Sequence, residues 1–134
     1  MIHHEYKIYY EDTDSGGVVY YANYLKFLER SRTDLLSSVA ISQIELGKSN
    51  IFFVVKKCEI EYISSAKLED IISVSTKISK IGKASIEFFQ EIFIKEKKIV
   101  NANIKIACVT HSNTTFKPII IPSDILTKIQ KIIQ

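Results

Sequence analysis

Residues 9–32 read Tyr9-Tyr10-Glu11-Asp12-Thr13-Asp14-Ser15-Gly16-Gly17-Val18-Val19-Tyr20-Tyr21-Ala22-Asn23-Tyr24-Leu25-Lys26-Phe27-Leu28-Glu29-Arg30-Ser31-Arg32. The run Glu11–Gly17 concentrates acids, hydroxyls and glycines, the residues that turn a chain. Beyond it Tyr24, Phe27, Leu28, Ser31, Leu35 and Val39 recur at three- and four-residue spacing, the pattern of an amphipathic helix. Leu25 and Leu36 widen that stripe to about half the circumference, and Lys26, Glu29, Arg30, Thr33 and Asp34 fill the remainder. A face that wide suits a helix partly enclosed by a curved sheet. Arg32 falls inside the apolar arc, and snorkelling beside Glu29 is the expected reason.

Outward from this helix the period changes. Residues 5–10 alternate weakly and are rich in aromatics, which predicts a first strand; His3 and His4 then lie at a frayed end. Residues 42–47 predict one or two helical turns closed by Gly47. From Ile51 the period is two: Cys58, Ile60 and Tyr62, then Ile72, Val74, Thr76 and Ile78 alternate with polar neighbours. A turn at Gly82-Lys83 leads to Ala84, Ile86, Phe88, Ile92 and Ile94, and Glu96-Lys97-Lys98 leads to Val100, Ala102, Ile104, Ile106 and Cys108. These predict consecutive antiparallel strands with one covered face each. Pro122-Ser123-Asp124 opens a final helix whose stripe of Ile125, Ile129, Ile132 and Ile133 is expected to pack on the sheet rather than on a membrane. The pattern is α+β: an antiparallel sheet wrapped around one long helix.

A chain of 134 residues fits one domain, 1–134, and 46% hydrophobic with 25% charged residues is globular composition. The net charge of +3 is small and interspersed, which argues against nucleic acid as a partner. No apolar run approaches a membrane span, and Met1-Ile2-His3-His4-Glu5 has no signal-peptide pattern. Cys58 and Cys108 match no zinc spacing and are expected as buried thiols in a reducing, cytoplasmic setting.

Several chemistries are excluded by the absence of their motifs: the G-x-S-x-G elbow, H-E-x-x-H, the P-loop and G-x-G-x-x-G. His111 is expected as a strand-end surface residue, so no Ser-His-Asp triad is in reach. Asp12 and Asp14 fall on the first and third positions of an EF-hand loop, and Gly17 on its glycine. The fifth position is Gly16 and the twelfth Asn23, so no calcium, and no other metal or cofactor, is expected. The acidic turn reads instead as an oxyanion device. Glycines admit a ligand to the backbone, unpaired N–H groups around Val18–Tyr21 face a developing negative charge, and a nearby carboxylate attacks or activates water. The crowding of three acids is expected to raise at least one pKa. An acidic capping turn is the other reading of the same residues. Lys77, Lys80 and Lys83 are either a solvated hairpin or contacts for phosphate.

The stretch from Tyr9 to Arg32 closely resembles the signature of the 4-hydroxybenzoyl-CoA thioesterase family, unbroken over more than twenty residues. It is most similar to the bacterial acyl-CoA thioesterases associated with the Tol-Pal system. The resemblance implies a hot-dog fold, acyl-CoA as substrate, homodimers or homotetramers, and a link to the Tol-Pal system or phospholipid metabolism. It implies Asp14 as the catalytic carboxylate and the backbone N–H at or near Tyr21 as the donor to the thioester carbonyl. Tyr10, Gly17 and Val18 would line the substrate site. The Tol-Pal-associated members usually carry histidine where this chain has Tyr21, and the 4-hydroxybenzoyl branch carries tyrosine. A backbone donor survives that change, whereas an imidazole role and the subfamily's acyl preference do not carry over. Hot-dog hydratases pair an aspartate with a histidine that is missing beside this turn. A non-catalytic acyl-CoA-binding or scaffold protein is the alternative that keeps Asp14 and the glycines.

Overall fold

The computed structural model of the chain describes residues 2–133. Strand β1 (Ile2–Lys7) is followed by two single 3-10 turns, Tyr10–Asp12 and Tyr21–Asn23, and then by helices α1 (Tyr24–Ser37) and α2 (Gln43–Lys48). Strands β2 (Phe52–Tyr62), β3 (Ile71–Ile81), β4 (Ser85–Ile94), β5 (Lys97–Ser112) and β6 (Thr115–Pro118) precede α3 (Ser123–Ile133). All ladders are antiparallel, and the sheet runs β1-β3-β4-β5-β2 with β6 hairpinned onto β5. The strands are therefore not laid down strictly in sequence. β2 crosses to the far edge, where Phe53 meets Cys108 and Tyr62 meets Val100.

The sheet curls around α1. Phe27, Leu28, Leu35 and Tyr24 of the helix are buried with Ile72 and Val74 of β3, Ile86, Phe88 and Ile92 of β4, and Val100, Ala102 and Ile104 of β5. Each Val, Leu, Ile or Phe among them contributes roughly 1.5–3 kcal/mol by leaving water. Val39 lies beyond the end of α1, and Leu25 is turned outward. The helix also carries polar residues inward: Ser31 bonds Thr76 Oγ1 at 2.7 Å, and Arg32 Nη1 donates to Gln90 Oε1 at 2.9 Å. Arg32 is thus not a snorkelling side chain, and no ion pair joins it to Glu29. Gln90 gives it a buried acceptor instead and donates through Nε2 to Leu28 O and Thr76 Oγ1.

Four other local expectations need correction. β1 begins and ends earlier than residues 5–10, because its register is fixed by β3 (His4 opposite Val74) and Tyr10 is already in a 3-10 turn. His3 and His4 accordingly sit in a paired strand, and His4 Nδ1 lies 3.3 Å from Ser31 Oγ. Gly47 does not close α2. That helix is capped by Ser42, which accepts from Glu45 N–H, and runs through Gly47; the left-handed residue after it is Asn50, at φ 56°. Cys108 is buried but Cys58 is exposed, since β2 is an edge strand whose inner face α1 does not cover. The β5–β6 hairpin, with Asn113 at φ 56°, has no counterpart in the periodicity reading. Among the described residues, no helix is long and apolar enough to cross a membrane.

Candidate active site

The acidic turn is a small hairpin of its own. Asp14 N–H donates to Val18 O at 2.9 Å and Tyr20 N–H to Asp12 O at 3.0 Å, so Thr13 pairs with Val19. Gly17, at φ +80°, makes the reversal that an L side chain resists. The hairpin is tied to the body of the protein by Val19 N–H donating to Ala66 O at 2.9 Å and by a bridge between Val18 and Lys67.

Asp12 and Asp14 have opposite surroundings. Asp12 is buried; its carboxylate accepts from Tyr9 N–H at 2.9 Å and pairs with Lys26 in the first turn of α1. Its carbonyl accepts from Asn23 Nδ2 at 2.8 Å. Burial alone pushes the Asp12 carboxyl up, but the Lys26 ammonium and the Tyr9 N–H together outweigh it and hold the pKa below the ordinary carboxylate value. Crowded acids therefore do not raise the pKa of Asp12, because a lysine the sequence reading did not connect to the turn neutralises it. Asp14 is exposed. Its Oδ1 accepts from Gly16 N–H at 2.8 Å, and among the described residues its Oδ2 has no partner.

The N–H groups that follow are divided in the same way. Those of Val19 and Tyr20 are used by Ala66 and Asp12, and that of Asn23 donates to Tyr20 O at 2.8 Å. Among the described residues those of Val18, Tyr21 and Ala22 take no acceptor, which narrows the donor set expected over Val18–Tyr21. Gly17 makes the reversal of this hairpin, and Tyr10 opens the 3-10 turn that leads into it. The Tyr10 ring is exposed and its carbonyl closes the turn by accepting from Thr13 N–H at 3.0 Å. The Tyr21 ring packs edge-on against Tyr62 of β2, with centroids 5.9 Å apart, and beside Tyr20 at 5.0 Å. Tyr24, buried beneath them, accepts from Ala66 N–H at 2.9 Å through its hydroxyl.

From the first turn of α1 an apolar cavity of about 440 Å³ runs between the helix and β2, lined by Leu25, Lys26, Glu29, Arg32, Val55, Cys58 and Ile104. Lys26 is common to this cavity and to the Asp12 pair, so the cavity's near end adjoins the acidic turn. Periodicity had assigned Leu25 to the apolar face and Cys58 to the core. Nothing in the spacing marked the gap between them, which exists because β2 pairs at the sheet edge. Among the described residues, no three His, Cys, Asp or Glu side chains are grouped to hold a metal ion.

A long helix wrapped by an antiparallel sheet is the hot-dog fold, and the chain belongs to the thioesterase superfamily, whose model matches residues 16–100. It is 39% identical over 120 residues to an acyl-CoA thioesterase, YbgC, of Haemophilus influenzae, covering 89% of this chain and 87% of that one. The YbgC acyl-CoA thioesterase of Helicobacter pylori is 34% identical over 126 residues, covering 87% and 90%. Among solved structures, a probable thioesterase from Bartonella henselae superposes with a TM-score of 0.83 at 32% identity, covering 90% of this chain and 98% of its own. The fold and enzyme class expected from residues 9–32 are thereby borne out.

Proposed function

We propose that the chain acts as one hot-dog domain that hydrolyses acyl-CoA thioesters to the free acid and coenzyme A, with Asp14 as the reacting carboxylate. The observation that carries this is the contrast within one turn: Asp12 is locked by Lys26, while Asp14 is exposed with one carboxylate oxygen unpartnered among the described residues, on the hairpin that leads to the N–H groups of Tyr21 and Ala22. A carbonyl oxygen resting on those donors gains negative charge as the carbonyl carbon is attacked, and donors aimed at it stabilise that charge. Asp14 either draws a proton from the attacking water or attacks directly and is released by water in a second step. In both routes the thiolate of coenzyme A leaves and the acid is formed. Tyr10, Gly17 and Val18 line the approach.

The protein is a homodimer or homotetramer working in the cytoplasm. β2 is an eleven-residue edge strand with Val55 and Tyr62 exposed, and Tyr9, Tyr10, Tyr20 and Tyr21 surround the acidic turn with exposed aromatic surface. A monomer leaves both in water, whereas a symmetric partner covers them. Free Cys58 and Cys108 fit a reducing compartment. A link to the Tol-Pal system or to phospholipid metabolism rests on the resemblance of residues 9–32.

The test is thiol release from a panel of acyl-CoAs by the purified protein, followed by single turnover in ¹⁸O-labelled water. Labelled acid with no acyl-enzyme formed identifies Asp14 as a base, and unlabelled first-turnover acid with the label in the protein identifies it as a nucleophile. Saturable acyl-CoA binding without any thiol release would move the protein to the non-catalytic class.

A further inference from the structure

Strand β2 passes α1 with a break in its register. Val55 pairs with Ile106 and Lys57 with Lys105, so Lys56 is an extra residue and forms a β-bulge. One extra residue resets the alternation of a strand. Val55 and Cys58, three positions apart, therefore both face the helix, beside Ile106 and Ile104 of β5. In a regular strand one of the two would point away.

Opposite them stand Leu25, Glu29 and Arg32, which share one face of α1 at four- and three-residue spacing. The cavity of about 440 Å³ lies between the two elements, and its exposed wall is almost wholly apolar although three charged residues border it. Each charged head is engaged elsewhere. Lys26 pairs with Asp12, Glu29 accepts from Thr33 Oγ1 at 3.0 Å, and Arg32 donates to Gln90 Oε1 at 2.9 Å. Glu29 also offsets the charge of Arg32. What these three residues give the cavity is their carbon stems.

The cavity is joined to the acidic turn on two sides. Lys26 borders both. The ring of Tyr21, whose N–H takes no acceptor among the described residues, packs edge-on against Tyr62, and Tyr62 lies on the same inner face of β2 as Cys58. From Leu25 to Arg32 the helix rises about 10 Å, the length of an extended chain of about eight carbons. An apolar cavity of about 150 Å³ already holds a benzene ring, so this one has room for such a chain.

We propose that this cavity receives a straight-chain aliphatic acyl group of about eight carbons, and that Val55 and Cys58, brought to one face by the bulge, set the length it accepts. This rests on the thioesterase reading above. Each methylene that leaves water for an apolar wall strengthens binding about fourfold. A hydroxylated ring loses the water on its hydroxyl and finds no partner there.

The experiment measures kcat/KM for butyryl-, octanoyl-, lauroyl- and 4-hydroxybenzoyl-CoA in the wild type, Val55→Phe and Cys58→Phe. The wild type is expected to favour octanoyl- over butyryl-CoA by about thirtyfold or more and to gain little further with lauroyl-CoA. It is expected to use 4-hydroxybenzoyl-CoA at least about tenfold less well than octanoyl-CoA. Each substitution fills part of the cavity, so the octanoyl-to-butyryl ratio should fall about tenfold. Calorimetric titration of the wild type with the non-hydrolysable thioethers S-octyl-CoA and S-butyl-CoA reads the same preference without turnover, and decides the matter even where a variant does not fold. Tighter binding of S-octyl-CoA with no hydrolysis of any acyl-CoA leaves the cavity standing and removes the hydrolytic reading. Equal kcat/KM for octanoyl- and butyryl-CoA with equal binding of the two thioethers overturns the proposal, as does a preference for 4-hydroxybenzoyl-CoA. So does an unchanged octanoyl-to-butyryl ratio in both folded variants; a change in oligomer mass alongside it would assign the groove to a second copy of the chain.

Discussion

Two aspartates two positions apart have opposite surroundings, and only their contacts distinguish them. Asp12 holds the turn against the start of α1 through Lys26, Tyr9 and Asn23. Asp12→Asn leaves the Lys26 ammonium without its counter-charge and is expected to cost about 1–3 kcal/mol, read as a lower urea midpoint. The Asp12 pKa is held below its unfolded value, so the increment is fully present above about pH 4–5 and is lost as pH falls through the lower folded value. The difference between wild type and variant should therefore shrink as pH falls below that window, and a pH-independent difference would contradict the ion pair. Asp12→Asn is consequently no neutral control for Asp14: it loosens the turn that presents Asp14. The D-T-D spacing told nothing about which acid is buried. That depended on Lys26, fourteen residues away and silent in any local pattern.

The long helix was legible because its apolar arc is a property of the chain itself. Tyr24, Phe27, Leu28 and Leu35 are buried as their spacing requires. Leu28 is fully buried, so Leu28→Ala should lower the unfolding free energy by about 2–5 kcal/mol, a loss that denaturant titration measures directly. A loss under 1 kcal/mol would mean the helix is not enclosed. Strand existence was also legible, but strand order was not. Alternation says that β2 has two faces, yet it cannot say that β2 pairs with β5 at the edge and leaves Cys58 exposed. Arg32 failed for the same reason. The partner that explains its burial, Gln90, comes from β4 and is brought to it by the sheet.

At the scale of the whole molecule, the exposed β2 edge and the tyrosines around the turn lie next to the candidate chemistry. Light scattering at micromolar concentration should give a mass of at least two chains, and a fully active monomer would contradict the proposed assembly. The family was readable from residues 9–32 because one short segment contains the turn, the donors and the helix that carries the core. The cavity was not, because its walls come from α1, β2 and β5 and meet only in the fold. The account as a whole stands on Asp14, whose carboxylate has one oxygen held by Gly16 and the other without a partner among the described residues. Its most direct test is the steady-state release of coenzyme A by wild type and Asp14→Asn, at matched fold and oligomeric mass. The expected result is hydrolysis by the wild type and a fall in kcat of about 10²–10⁴-fold in the variant. Turnover by Asp14→Asn close to that of the wild type would contradict it.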